Sequence, residues 1–444
     1  MIIHHFDLKI KNILYLCGMN INEATWKYVR QHQDEDVRKL ALQGVKDAEV
    51  NLTLALQQIA GRQTARRKLP SWATVDGIIY PPHLNMEQCS SEQTARYKSS
   101  LTTAFSPKGV GDESIYVDLT GGFGVDLYWM SQAFSRRIYV EQDAALCAVA
   151  EENFRQLGLE CSVCCCDTAT YLTKMEYADC VYLDPARRNE HGGRTYGIED
   201  CTPNVLELLP LLMEKADSVI LKLSPMLDWR KAVNDLNQHA SVTHQPSADR
   251  CNIIRAVHII SVDNECKELV LVLDDNHHDT LRLCCVNNDS CFECVSSVET
   301  GRLEAANEVF PAGKHMEGSH HLVQGLYLYE PNASVMKAGC FTELAERFGT
   351  QQLSANSHLF VSADDIATFP GRRFQIQAVS SMNKHELSRA LSSLKSANIA
   401  VRNFPLSVEQ LRKKLKLKDG GDTYIFATTT ANGEHRLLIC RKIG

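Results

Sequence analysis

The sequence predicts an α/β protein: a doubly wound parallel sheet, preceded by a helical module and followed by a basic α+β region. Three observations predict it. A short apolar run, Ile115-Tyr116-Val117, closes on Asp118 and breaks into a glycine turn, Thr120-Gly121-Gly122-Phe123-Gly124. Leu127, Tyr128, Met130 and Phe134 then recur at helical spacing, completing the first half of a βαβ unit. Further apolar runs end on polar residues at Glu141, Asp167, Asp184 and Ser224, and open α/β sheets bind ligands at such strand ends. From Arg372 onward, strand and helix patterns alternate in a basic stretch. Pro370 to Gly444 holds 7 Lys and 7 Arg against 5 acids, in a chain of net charge −7.

At 444 residues the chain exceeds one ordinary core. The expected division is an upstream extension at 1–18, the helical module at 19–83, the sheet domain at 84–275, a small α+β linker domain at 276–370 and the basic α+β domain at 371–444. No apolar run approaches the ~20 residues that cross a bilayer. Ile13 to Cys17 is too short for a signal core, and Met19 stands just before the first helical pattern, so Met1 to Gly18 is expected outside the fold. With no secretion signal, the 17 cysteines are expected as free thiols in a reducing cytoplasm. Cys161 with Cys164 to Cys166, and Cys284-Cys285 with Cys291 and Cys294, invite a metal test. The second group ends in C-x-x-C but begins as a doublet, which favours strand packing over zinc or iron. No metal is expected.

From Asn22 to Lys68, Trp26, Val29, Val37, Leu40, Val45, Leu52, Leu56 and Ile59 trace two or three amphipathic helices, with Asn20 or Asn22 as the first cap and Pro70 as the break. Ser90 or Ser91 can cap a helix from Glu92 to Leu101. Its N-terminus either faces the ligand crevice or merely covers the sheet. After the glycine turn come strands Arg137–Glu141, Glu160–Cys166, Cys180–Leu183 and Val219–Leu223, with a helix over Ala144–Leu157. Glu141 stands 23 residues beyond Asp118, where a carboxylate fork accepts both hydroxyls of a ribose. A dinucleotide fingerprint fails at Leu127, where a third glycine is needed, and no G-K-[ST] marks a phosphate loop. The pattern fits a ligand with adenosine and no phosphate. Ribose would sit on Glu141, adenine near Asp167, and a charged amino-acid end over the glycines and Asp118.

In the second half a strand runs from Leu269 to Leu273. His277-His278 and His320-His321 are adjacent pairs pointing to opposite faces, better read as loop polarity than as metal ligands. A helix is expected over Ala338–Phe348 and a strand over Ser354–Val361. Strand Phe374–Val379, helix Lys384–Leu394, strand Ile399–Phe404 and helix Ser407–Leu417 follow. Thr423–Thr430 and Glu434–Cys440 then flank Asn432-Gly433, a hairpin signal. Arg412, Lys413, Lys414, Lys416 and Lys418 are either a polyanion-binding face or a solvated charged one. No ladder of stacking aromatics accompanies them.

The D-L-T-G-G-F-G loop, Glu141, Asp167 and the D-P-A-R sequence after the fourth strand resemble the class I (Rossmann-like) S-adenosylmethionine-dependent methyltransferases. E-Q-C-S-S-E-x-T-A-R-Y-K (Glu87 to Lys98), L-D-P-A-R-R (Leu183 to Arg188), N-E-C-K-E (Asn264 to Glu268) and Y-L-Y-E-P-N-A (Tyr327 to Ala333) make the narrower match. They resemble the Bacteroides-group methyltransferases with a THUMP-like, ferredoxin-like C-terminal domain. The resemblance implies S-adenosylmethionine bound by Asp118, Thr120, Gly121, Gly122, Gly124, Glu141, Gln142 and Asp167. It also implies a catalytic Asp184-Pro185, where amino-group methyltransferases carry Asp/Asn-Pro-Pro-aromatic. There the acid and a backbone carbonyl accept hydrogens from the target amine. Ala186 and Arg187 replace the second proline and the aromatic, which puts base stacking there in doubt. Methylases of uracil carbon need a cysteine where this chain has Ser224, so carbon methylation is disfavoured.

Arg187 and Arg188 either hold a substrate phosphate or carboxylate or form a structural ion pair. His191 to Arg194 reads as a flexible loop suited to a substrate lid, and Lys222, inside an apolar strand, is either paired or functional. THUMP-type domains bind RNA, which adds Lys413 and Lys414 as substrate contacts. The expected function is methylation of a base nitrogen in a structured RNA, tRNA or rRNA, in the cytoplasm. The alternatives are a methyltransferase of protein or a small molecule, and a non-catalytic RNA-binding protein retaining the fold.

Overall fold

The apolar runs lie side by side, as buried parallel strands do when helices cover both faces. A computed structural model describes residues 21–104, 113–187, 197–244, 252–297 and 322–443. The expected extension Met1 to Gly18, Arg188, the His191 to Arg194 loop and His320-His321 lie outside the described residues. Strand β1 (Ile115–Asp118) pairs in parallel with β2 (Arg136–Glu141), which pairs with β3 (Ser162–Cys165). On its other side β1 pairs in parallel with β4 (Ala178–Leu183). After β4, β5 (Ala186–Arg187) and β6 (Cys201–Thr202) form a separate antiparallel ribbon. Strand β7 (Ala216–Leu223) then adds in parallel outside β4.

Strand β8 (Ile254–Val262) precedes β9 (Glu265–Leu273), which runs antiparallel to β7. With β10 (Thr280–Asn287) and β11 (Ser290–Ser297) the sheet order is β11-β10-β8-β9-β7-β4-β1-β2-β3. The chain builds outward from β1 to β3, then returns to β4 on the other side. The order therefore reverses between β1 and β4, the place where open α/β sheets form a ligand crevice.

Three helices, α1 (Glu23–His32), α2 (Val37–Gln43) and α3 (Leu52–Lys68), come first among the described residues, capped by Asn22, Asp36 and Asn51. Each cap oxygen takes an otherwise orphaned backbone N–H. The one-turn α4 (Pro70–Ala73) and short α5 (His83–Gln88) lead to α6 (Glu92–Ala104). Two buried amides fasten this region to the sheet domain by copying backbone pairing. Gln58 bonds both the N–H and the C=O of Tyr80, at 2.8 and 2.9 Å. Asn153, on α8 (Ala144–Gln156), does the same to Ile79 at 2.8 and 2.9 Å. Helix α7 (Val125–Met130) precedes α8, and Trp72, Ile79, Tyr80, Phe123, Val125 and Val149 share one buried cluster. Helices α9 (Thr168–Lys174), α10 (Val205–Lys215) and α11 (Trp229–His244) complete the wrapping.

The chain divides into two compact units. The first gathers the described residues up to Val257 with Glu268–Leu281; the second holds His258–Lys267, Arg282–Ser296 and the described residues from 322 onward. The second unit contains β12 (Tyr327–Pro331), α12 (Ala333–Ala338), α13 (Phe341–Phe348), β13 (Gln351–Gln352), β14 (Phe360–Ser362) and β15 (Gly371–Ser380). Helix α14 (Lys384–Leu391), β16 (Asn398–Arg402), α15 (Val408–Leu415), β17 (Thr423–Thr429) and β18 (His435–Lys442) follow. Its sheet order is β13-β14-β12-β15-β18-β17-β16.

The hairpin signal at Asn432-Gly433 is met: β17 and β18 pair from Thr423↔Arg441 to Thr429↔His435, with Gly433 at φ +81. The single helix expected over Ala338–Phe348 is instead α12 and α13, because Gly339 adopts φ +71 and ends the first. Ser354–Val361 is strand only from Phe360, since Ser354 and Ser357 close a turn through backbone and hydroxyl bonds.

Candidate active site

The site is built from the polar ends of β1, β2 and β4. Asp118, at the end of β1, is buried and accepts the Thr120 N–H at 3.0 Å. Burial pushes its carboxyl well above the usual range, and the negative fields of Asp126, Asp184 and Glu141 add to the shift against the Thr120 bond. The loop after it is held by its own geometry. The Gly121 N–H donates to Val140 O at 2.9 Å, and a Cβ on Gly121 would lie 2.1 Å from the Tyr139 ring. Gly121 is thus required by packing. Gly122 differs: its φ is +53, and a Cβ there would meet only Thr120 O, at 3.8 Å. A ligand can approach the backbone there.

Glu141 closes β2 and uses both oxygens. Oε2 accepts the Gly122 N–H at 3.0 Å and Oε1 the Asp143 N–H at 2.9 Å. Each oxygen keeps a lone pair for a further donor. Gln142, beside it, is exposed. Asp167 caps α9 by accepting the Thr170 N–H at 2.9 Å, and hydrogen bonds from Thr170 hold its carboxyl below the ordinary value. It is exposed at the edge of the same sheet end.

Asp184 follows β4 directly. Its backbone N–H donates to Thr120 Oγ1 at 2.7 Å, so one hydroxyl ties the glycine loop to the D-P-A-R segment. Its Oδ2 receives Lys222 Nζ at 2.5 Å. Burial raises the Asp184 carboxyl while Lys222 opposes the rise. Burial alone would lower Lys222, but Asp184, Glu268 and Asp126 outweigh it and hold the ammonium protonated. Lys222 is thus paired with Asp184. Pro185 is buried beside it. Ala186 and the Arg187 backbone enter the ribbon with Cys201 and Thr202; the Arg187 side chain is outside the described atoms. Lys413 and Lys414 are exposed on α15 in the second unit.

The sequence reading missed a buried polar network beneath these residues. Lys98, fully buried on α6, lies 2.9 Å from Asp126 Oδ1 and 2.8 Å from Glu268 Oε2. It also donates to Ser90 Oγ at 2.7 Å. Ser90 and the Tyr182 hydroxyl both donate to Asp126 Oδ2, at 2.7 and 2.8 Å. Burial would raise Asp126, but Lys98 and Lys222 hold it low. The available signal was Lys98 itself, which shares an apolar helix face with Ala95 and Leu101. The α6 cap is Ser91, whose Oγ accepts the Thr94 N–H at 3.2 Å, leaving Ser90 to the network.

Among the described residues, no group of three or more His, Cys, Asp or Glu is arranged to hold a metal ion. His278 turns to Asp274 at 2.8 Å while His277 accepts the Asn252 N–H at 3.2 Å, so that pair does point apart.

Family models match two C-terminal stretches: a ferredoxin-like domain at residues 327–370 and a THUMP domain-like module at residues 371–442. Two Mycobacterium tuberculosis proteins named as uncharacterised S-adenosylmethionine-dependent methyltransferases are each 22% identical over 324 residues. The alignments cover 71% of this chain and 77% of theirs. A crystal structure of a protein from Porphyromonas gingivalis W83, assigned as a methyltransferase, superposes with a TM-score of 0.77. It is 27% identical and covers 95% of this chain and 98% of its own. Together with the sheet order and the strand-end acids, these matches make the chain an S-adenosylmethionine-dependent methyltransferase with a methyltransferase-type sheet, similar at its C-terminal end to ferredoxin-like and THUMP domain-like modules.

Proposed function

We propose that this protein transfers the methyl group of S-adenosylmethionine to a base nitrogen of a structured RNA, at the end of β4. The observation that carries the reading is the Thr120 hydroxyl, which joins the donor loop to the backbone of Asp184 at 2.7 Å. A donor held over Gly122 and a substrate held at Asp184 are thereby positioned by one residue. The donor supplies a methyl carbon made electrophilic by its sulfonium sulfur. The protein's own part is to orient and desolvate the two reactants. Asp118 is suited to the donor's ammonium end, Glu141 to its ribose hydroxyls, and Gln142 and Asp167 border the adenine side. Asp184 accepts a hydrogen from the target amine, and Pro185 fixes the turn that presents the acid. RNA as the substrate is supported by the THUMP domain-like match and by the exposed Lys413 and Lys414 on α15. In the D-P-A-R-R stretch, Arg187 and Arg188 supply guanidinium groups suited to a backbone phosphate.

The test is transfer of tritium from S-adenosyl-[methyl-³H]methionine into RNA, protein and small-molecule fractions of cells lacking this gene. Label in RNA, lost with Asp184→Ala while the donor still binds, supports the reading. Label in another fraction would redirect it to a protein or small-molecule substrate. Donor binding without transfer to any fraction would leave a non-catalytic RNA-binding protein.

A further inference from the structure

Lys222 occupies an unusual place, an ammonium inside the apolar strand Val219 to Leu223. Its side chain is 12% exposed, whereas that of Asp184 keeps 33%. The contact joins Nζ to Oδ2 alone, and the Asp184 backbone is fixed separately by Thr120. The carboxylate is therefore anchored on one oxygen from beneath and held along its backbone, and among the described residues no side chain bonds its second oxygen. Lys98 is already committed to Ser90, Asp126 and Glu268, so among the described residues Lys222 is the cation that meets Asp184 directly. We propose that Lys222 is a positioning residue for methyl transfer, pinning Asp184 Oδ2 so that Oδ1 is presented to an N–H of the substrate.

The inference rests on the methyltransferase reading of this site and narrows its substrate class to atoms that carry hydrogen on nitrogen. A carboxylate held beside an ammonium is an acceptor only, so it orients an N–H and offers no hydrogen to a bare ring nitrogen. In the reaction the substrate nitrogen attacks the methyl carbon with its lone pair. The carbon–sulfur bonding pair stays on sulfur. The proton then in excess on nitrogen passes to Asp184 Oδ1 and from there to water. The groups facing this pair are Lys98 on α6, Asp126 on α7, Asp118 on β1, Tyr182 on β4, Glu268 on β9 and Cys89 ahead of α6. Each is a separate control for the titration.

The experiment has two readouts. The first needs neither donor nor substrate: infrared titration of the protonated carboxyl band, assigned to Asp184 by its loss in Asp184→Asn. In Lys222→Met the neighbouring positive charge is gone, so the Asp184 titration should move to higher pH by about 1–3 units. Lys222→Arg keeps the charge and should hold it near wild type. The second readout is methyl transfer to the accepting fraction, with donor affinity measured alongside. Lys222→Met should lower kcat and shift the acid limb of the pH profile upward in step with the infrared titration. Its donor Kd should stay within about threefold, and thermal unfolding checks that the variant is folded. An unmoved infrared titration would overturn the pairing. A moved titration with an unmoved rate and acid limb would overturn the positioning role. Wild-type protein that binds donor and methylates nothing would instead overturn the methyltransferase reading of Asp184, whatever the infrared result.

Discussion

Glu141 is the residue on which donor affinity should depend most visibly. Its two oxygens are fixed by Gly122 and Asp143, so no rotamer search is needed to accept two hydroxyls from a ligand. Hydrogen bonds to a charged group are worth about 1.5–3 kcal/mol each. Glu141→Ala removes both and also frees the Gly122 N–H. Donor affinity by calorimetry should fall by at least about tenfold, since roughly 1.4 kcal/mol corresponds to a factor of ten. Glu141→Gln should lose less, because the amide oxygen still accepts one bond. An alanine variant with wild-type affinity would remove Glu141 from the donor site.

At the scale of elements, α6 is fastened to the first turn of α7 through Lys98, Ser90 and Asp126, and to β9 through Glu268. Removing one member of a buried ionic cluster costs about 3–5 kcal/mol, because the remaining charges keep their desolvation penalty. Lys98→Met should therefore destabilise the protein by that order in urea unfolding, and adding Glu268→Gln should recover part of the loss. Equal stability of wild type and Lys98→Met would show that the cluster is solvated in solution. These elements also mark what could be read in advance. The strand ends at Asp118, Glu141 and Asp184 were legible because acids seldom follow buried apolar runs without a ligand or partner. The Lys98 cluster was not, because a lysine on an apolar helix face signals burial without naming its partners, and Glu268 meets it only through the order of the sheet. Lys222 was legible as an anomaly, while its partner was not. The break at Gly339 was hidden for a different reason: apolar spacing on both sides of a glycine looks the same whether the helix continues or restarts.

Over the whole molecule, charge is divided by position along the chain, and among the described residues several arginines of the basic end are paired within it. Arg412 bonds Ala397 O and Asp419, Arg372 and Arg402 both meet Glu330, Arg373 meets Asp365, and Arg436 meets Glu434. Lys413, Lys414, Lys416 and Lys418 are exposed around the end of α15. Exposed lysines act as point charges on a phosphate backbone and carry no sequence preference, so their contribution should appear as salt dependence. Each phosphate contact contributes about 0.7–0.9 to the slope of log affinity against log salt. Lys413→Glu with Lys414→Glu should reduce that slope by about 1.4–1.8, raise KM for the RNA and leave donor affinity unchanged. Both side chains lie outside the buried cores, so stability should change little. An unchanged slope would mean that RNA, if it is the substrate, is held by other parts of the chain and that α15 presents only a solvated face. A reduced slope with kcat preserved at saturating RNA would assign α15 to capture and leave the chemistry to the residues around Asp184.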